Sequence, residues 1–456
     1  MPTQRTRRKQ RPEPADPKSL ERQVRQLLAD KISGTQVGLW LLLPEHLRLG
    51  TWDLLCGWTG VSTPHVEPRL ALQLVHEAAL CVTGVRQGRS LSQKGFELAH
   101  GLPFVATDQA IHDLLAAHTV EEAQRLQIAL GQLRRASGHF PGQILAIDPH
   151  RLKSFSQRQM VRFRDDPRLK AIKVAQTFFG LDAQSQQPLC FTSASAARTV
   201  AQATPELLRL AQAILNPPAG QRPLLLADCE HFNRELVEQV RLETPFDLLV
   251  PMPNQKARQA HYAALPARQF TPYWAGFALA KRPFGWSQGS DQPLYEIIQR
   301  SGEAPGELFY KSFLASSDRP EVTDLSVHYP QRWHVEEFFK FNQALGWQRA
   351  GTLNLNIRYG QMTLALVAQA VIHQLRQRLG VPFATWDAPH LAKDLFRALD
   401  GDVRVQHDTI LVTYYNAPNA ELLRRHYEGL PGKLVAQKID PRIPWLYNFK
   451  LDFRFR

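Results

Sequence analysis

The sequence predicts an α/β protein in which an all-helical N-terminal region precedes a core of alternating strands and helices. Three observations carry this reading. From residue 19 to 137, apolar residues recur at helical spacing with no strand-like alternation. After Gly138, short continuous apolar runs, the mark of strands buried on both faces, take turns with helical segments. From about 252 to 320 the chain becomes rich in Pro, Gly, Trp and Tyr and loses helical periodicity, which predicts an irregular or β-rich insertion.

Each element follows from local chemistry. Residues 1–18, with "RTRRKQR", are basic, Pro-rich and aperiodic, and are expected to be disordered. Such a tail is either a solvated end or a non-specific phosphate contact. "SLERQVRQLLADKI", "LALQLVHEAALCVTGV" and "TVEEAQRLQIALGQLRRASG" are amphipathic helices of a domain over 19–137. Within it, "SLSQKGFELAHGL" and "ATDQAIHDLLAAH" are compatible with a helix-turn-helix pair or with plain helix packing.

The first part of the core, 138–250, opens with "QILAID", a buried strand ending at Asp148, and "IKVAQTFFGLDAQSQQPLCFTSAS", two strands joined by a polar turn. "TPELLRLAQAIL" follows as a helix with Pro205 in its first turn. "RPLLLAD" is a second buried strand, ending at Asp228; "NRELVEQVRL" is a helix and "FDLLVPM" a further strand. The insertion occupies 251–322. The core resumes over 323–380 with a helix from about 330 to 345 and a long helix stopped by Gly380, and 381–456 forms a β-rich C-terminal region.

Bulk composition narrows the function. At 456 residues the chain suggests two or three domains, and 44% hydrophobic with 21% charged residues is normal for a globular protein. A formal charge of +13 favours a polyanionic partner, nucleic acid first and an anionic membrane surface second. The four cysteines, Cys56, Cys81, Cys190 and Cys229, form no C-x-x-C pair, so a zinc ribbon or disulfide framework is not expected and a reducing cytoplasm fits best. No secretory signal or membrane span is expected either, since the apolar runs are short or interrupted.

Chemistry concentrates in two strand ends and one helix. In open α/β sheets the carboxyl ends of strands face the ligand crevice, so Asp148 and Asp228 can converge there, although Asp is also a common turn former. Together they suggest a site for Mg2+ or Mn2+. "YPQRWHVEEFFKFNQALGW" then offers two glutamates. With Arg332 as zero and about 100° per residue, Glu336 falls at about 40°, Lys340 at about 80°, Gln343 at about 20° and Tyr329 at about 60°. Glu337 falls at about 140°, near the margin, while Phe338, Phe341 and Leu345 mark a core-facing side. Glu336 therefore shares a polar stripe that can face a phosphate; the alternative is a solvated stripe with local Arg and Glu pairing.

Carried on strand, strand and helix in that order, Asp148, Asp228 and Glu336 resemble the catalytic trio of the DDE transposases of bacterial insertion sequences, specifically the insertion sequence 4 type. That family's signature runs Tyr, two residues, Arg, three residues, Glu, six residues, Lys. Here it gives Tyr329, Arg332 and Glu336, with Gln343 in place of Lys. "LAIDPHRLKSF" and "LLLADCEHFNRELV" look like the two aspartate segments, and the resemblance covers roughly 140–380.

The resemblance implies a ribonuclease H-like core, interrupted between Asp228 and Glu336 by the β-rich insertion. It implies two Mg2+ (or Mn2+) ions held by Asp148, Asp228 and Glu336. The reaction would be cleavage at the ends of a mobile element, then joining of the 3′ hydroxyls to target DNA. Arg332 would neutralise a phosphate with Tyr329 beside it, and Lys340 would stand in where Gln343 replaces the family's lysine. Trp274 and Trp286 would stack on a flipped base if a hairpin forms, or else serve as loop anchors. Terminal inverted repeats, read by the N-terminal domain, and target DNA are the implied partners, with a homodimer in the synapse and a bacterial, nucleoid-associated cytoplasmic location.

Two competing readings remain. His150, His231 and His334 beside the carboxylates would suit a metal-dependent phosphohydrolase, although His334 projects at about 200°, away from Glu336. Gln343 is the one hint of a transposase-derived DNA-binding protein that no longer catalyses.

Overall fold

Two β-sheets organise the chain, each joining strands from distant parts of the sequence. The structure is a computed structural model and describes residues 16–34, 36–82, 94–154, 157, 160–164, 168–193, 198–286, 294–347, 352 and 354–456. The chain divides into two compact units, one of Met1–His118, Ala344–Gly346 and Val367–Arg456, the other of Thr119–Gln343 and Trp347–Leu366. The architecture is mixed α/β.

The first unit opens with helix Pro17–Ala29, capped by the Asp16 side chain accepting from the Ser19 amide. The helix therefore includes Pro17 and Lys18, the end of the tail expected to be disordered; residues 1–15 of that tail lie outside the described residues. Strand β1 (Ile32–Gly34) follows, a departure from the strand-free pattern expected over 19–137. It forms because a C-terminal strand offers its edge, which local periodicity does not report.

The second unit holds the larger sheet. Its strands are β2 (Ile144–Lys153), β3 (Arg162–Phe163), β4 (Ile172–Asp182), β5 (Gln187–Ser193), β6 (Leu224–Leu226), β7 (Asp247–Pro251), β8 (Thr271–Trp274), β9 (Phe277–Phe284), β10 (Leu294–Ser301) and β11 (Phe309–Ala315). They run in the order β3-β4-β2-β6-β7-β11-β10-β9-β8, with β5 also paired to β4. β2, β6 and β7 are parallel; β4, β5 and β11 are antiparallel to their neighbours.

Alternation along β2 sorts its side chains. Leu145 and Ile147 join Leu225, Leu248 and the buried face of helix Val200–Leu215 (Leu207, Ala211, Ile214) in one core. Ala146, Asp148 and His150 point to the other face. Each fully buried Leu or Ile here contributes about 1.5–3 kcal/mol of hydrophobic stabilisation.

Three local expectations are corrected. β2 does not end at Asp148 but runs to Lys153, because β4 keeps supplying partners as far as Val174. Helix Val200–Leu215 begins earlier than expected, with Pro205 inside it, because Thr199 and Gln202 form a capping box that fixes the start. The segment expected as one helix over 330–345 is a 3-10 turn (Tyr329–Trp333), an α-helix (His334–Asn342) and a second 3-10 turn (Gln343–Leu345), preceded by a π turn (Asp324–His328). Within residues 251–322, β8 to β11 extend the sheet through the β11–β7 pairing. Helix Lys256–Ala263 covers a small core of Tyr262, Phe270, Ile298 and Tyr310.

The first unit closes with β12 (Gly401–Gln406), β13 (Thr409–Tyr414), β14 (Arg442–Ile443) and β15 (Phe449–Phe455), ordered β1-β12-β13-β15-β14. Helices Ala420–Tyr427 and Leu430–Ala436 link β13 to its parallel partner β15, a connection that parallel pairing requires and the β-rich reading of the tail lacked. Among the described residues no helix is long and apolar enough to cross a membrane.

Candidate active site

The two aspartates meet through sheet register. β2 pairs with β6 only from Ile144↔Leu224 to Ala146↔Leu226. Continued two residues beyond the last pair, that parallel register sets Asp148 beside Asp228, on the face away from helix Val200–Leu215. Asp148 is held from the other side by β4, opposite Phe179. Asp228 caps the 3-10 turn Cys229–His231: its carboxylate accepts from the Glu230 amide at 3.1 Å and lies 2.7 Å from His231 Nδ1.

Glu336 arrives from the α-helix His334–Asn342, which buries Val335, Phe338 and Phe339. Phe339 stacks on His150 at 4.3 Å between ring centres, and Phe338 and Phe339 both meet Phe179, so the helix is packed onto the strands that carry Asp148. Glu336, with its side chain 40% exposed, lies 3.3 Å from Arg332 Nη2, while Arg332 Nη1 lies 3.5 Å from Asp148 Oδ1. One guanidinium thus links the first and third carboxylates. Glu337 makes no ion pair among the described residues. Beside the guanidinium, the Tyr329 hydroxyl donates to the Ala227 carbonyl at 3.4 Å, and its ring packs edge-on against Phe313.

The electrostatics follow from crowding. Burial pushes the Asp148 carboxyl up to about 7, with Asp228 and Glu336 adding to the shift and Arg332 opposing it. Burial acts the same way on Asp228, but the hydrogen bond and charge of His231, with Arg332, hold that carboxyl below the usual range. Arg332 would lose basicity by burial, yet Tyr329, Asp148, Asp228 and Glu336 more than compensate and keep it charged. Tyr329 is pushed up to about 12, so its hydroxyl stays a donor at neutral pH.

Three carboxylates are the donor chemistry a hard divalent cation takes, and a carboxyl raised by burial and then by two others marks a place that favours added positive charge. Among the described residues, no group of three or more His, Cys, Asp and Glu side chains is arranged to hold an ion as it stands. The donor set fits; closing it requires the half-exposed Glu336 to rotate away from Arg332.

The remaining predicted residues are dispersed. Lys340 is exposed one turn beyond Glu336 and Gln343 is half-buried in the turn that follows. Trp274 is 51% exposed and stacks on Phe277 at 4.1 Å. Trp286 packs between Phe232 and Phe284. The histidine-based site is assembled only in part: His231 Nδ1 lies 2.7 Å from Asp228, but His150 lies under Phe339, and His334 Nδ1 is 2.6 Å from the Ala183 carbonyl. Sequence reasoning missed Arg151 and Glu230, which pair across the aspartate segments. The only signal was that each is a charged residue placed two or three positions after an aspartate.

Two aspartates aligned by parallel strands, with a helix-borne glutamate tied in by arginine, define an α/β protein built around an acidic site in a basic chain. The sequence model of the transposase DDE domain family matches residues 139–370, just over half of the 456, and the chain belongs to that family. Among solved structures it is similar to a piggyBac transposase synaptic complex with hairpin DNA. Identity is 14%, coverage 81% of this chain and 82% of that one, and the TM-score 0.42. No curated protein matches the sequence.

Proposed function

We propose that the chain is a DNA transposase of the insertion sequence 4 type, working on a ribonuclease H-like core. It would cleave the ends of a mobile element and join their 3′ hydroxyls to target DNA. The observation that carries this reading is that Asp148 and Asp228 each lie two residues past the last β2–β6 pair and close enough for the charge of one to raise the other, with Glu336 linked to Asp148 through Arg332. The core reading is supported by the strand order β5-β4-β2-β6-β7, antiparallel as far as β2 and parallel beyond it.

Asp148, Asp228 and Glu336 would hold two Mg2+ or Mn2+ ions, whose Lewis acidity would activate the attacking oxygen and stabilise the leaving one. The chain's own groups do the rest. Arg332 offers a planar, permanently charged fork to a phosphate, which competes for it with Asp148 and Glu336. Tyr329 donates a hydrogen bond beside that phosphate. His231 fixes the Asp228 carboxylate, leaving its second oxygen to face the site. Lys340 and Gln343 extend the contact along the helix, and the half-exposed Trp274 is better placed than the packed Trp286 to stack on a base. The net charge of +13 suits duplex DNA as partner, both inverted repeats and target, with residues 19–137 as the end-reading domain. Two ends joined in one synapse call for a homodimer, and the nucleoid is the place of action.

The test incubates purified protein with its end DNA and Mg2+. Wild type and Glu337→Ala are expected to cleave, and Asp148→Ala and Glu336→Ala to be inactive. Equal cleavage by all, or loss in Glu337→Ala alone, overturns the assignment.

A further inference from the structure

We infer that Arg151 and Glu230 form a clamp that fixes the separation of the Asp148 and Asp228 segments, making them positioning residues for the carboxylate site. The inference rests on the function proposed above. The β2–β6 ladder ends at Ala146↔Leu226, so each aspartate sits two residues past the last interstrand hydrogen-bonded pair. Two like charges placed side by side beyond a ladder's end push their segments apart, and the ladder itself supplies no restraint there. Arg332 bridges Asp148 to Glu336 on one face of β2 and makes no ion pair with Asp228.

On the opposite face a second cross-link spans the gap directly. Arg151, three residues after Asp148 and so pointing the other way from β2, donates through Nη2 to the carboxylate of Glu230, two residues after Asp228. The guanidinium is fixed on its other sides as well. Nε donates to Gln176 Oε1 at 3.1 Å on β4, and the guanidinium carbon lies 4.2 Å from the centre of the Phe163 ring on β3. The Arg151 side chain is 16% exposed and that of Glu230 36%, unlike a loose surface pair, which has neither a second acceptor nor a stacking partner. Arg151 is therefore anchored to the strands that hold Asp148 and reaches the turn that holds Asp228.

The test measures Mn2+ binding by calorimetry on the full chain without DNA, together with the Mg2+ dependence of end cleavage. Arg151→Gln and Glu230→Gln are each expected to weaken Mn2+ affinity about tenfold and to raise the Mg2+ needed for half-maximal cleavage. The swapped pair Arg151→Glu with Glu230→Arg is expected to recover most of both. Unchanged Mn2+ affinity in the single variants, or a swap no better than either one, overturns the clamp. Tighter DNA binding by Glu230→Gln at unchanged Mn2+ affinity would instead assign Arg151 to a DNA phosphate. Asp148→Ala separates the two levels. If it still binds Mn2+ like wild type, the proposed site itself fails; if it loses binding while the clamp variants keep theirs, only the clamp fails.

Discussion

Asp148→Asn is expected to stabilise the folded protein while ending its activity. The Asp148 carboxyl is raised from the ordinary 3.8 to about 7, chiefly by burial and then by Asp228 and Glu336. Its folded pKa therefore exceeds its unfolded one, and the unfolded chain releases this proton first as pH rises. Stability is lost between about pH 4 and about pH 7 and is level above that. Three units at 1.36 kcal/mol each set a ceiling of about 4 kcal/mol. Movement of Glu336 and water entry reduce this to about 1–3 kcal/mol. Asparagine keeps the shape and can still accept from Arg332 but carries no charge, so it escapes the penalty. At about 2–4 °C per kcal/mol for a unit of this size, the variant is expected to melt several degrees higher than wild type at pH 8. Differential scanning calorimetry in chelator from pH 4 to 9 reads this directly, and the gap is expected to close near pH 4. A variant less stable than wild type at pH 8, or a gap independent of pH, would refute the reasoning.

Other perturbations probe separate links. His231→Ala removes the nitrogen 2.7 Å from Asp228 and is expected to lower Mn2+ affinity and cleavage by about tenfold at unchanged DNA affinity; an equal loss of DNA affinity would contradict a role confined to Asp228. Arg332→Ala is expected to weaken end binding and flatten its salt dependence by about one unit of slope, and an unchanged slope counts against a phosphate contact. Phe339→Ala, which removes the ring stacked on His150 and packed edge-on against Phe179, is expected to cost about 3 kcal/mol in denaturant unfolding and to lower cleavage with it. A stable but inactive Phe339→Ala would show that the ring does more than seat the helix.

Much of the sheet was legible because strands buried on both faces read as unbroken apolar runs: "ILAI", "LLL" and "DLLV" each fall in or on β2, β6 and β7. Where those strands stop was not legible. β2 continues past Asp148 because β4 accompanies it, while β6 ends after three residues, and these lengths are set by partners far along the chain. The offset of four between Arg332 and Glu336 brings them together despite the 3-10 turn, since the α-helix has begun by His334. Tyr329 does not follow the ideal projection; the 3-10 and π turns carry it to Phe313 and the Ala227 carbonyl. The early start of helix Val200–Leu215 was readable in the Thr199 to Gln202 spacing, but Pro205 is the louder local signal. The Arg151 and Glu230 pairing lies beyond sequence reading, because it depends on register between strands eighty residues apart.

The central claim is that Asp148, Asp228 and Glu336 gather around one divalent-metal site. Fe2+ substituted for Mg2+, with ascorbate and peroxide, generates hydroxyl radicals at the bound ion, and mass spectrometry locates the backbone cuts. Cuts are expected at the segments around Asp148, Asp228 and Glu336 together, and all three are expected to vanish in Asp148→Ala. Cuts at only one segment, elsewhere in the chain, or unchanged in Asp148→Ala would contradict it.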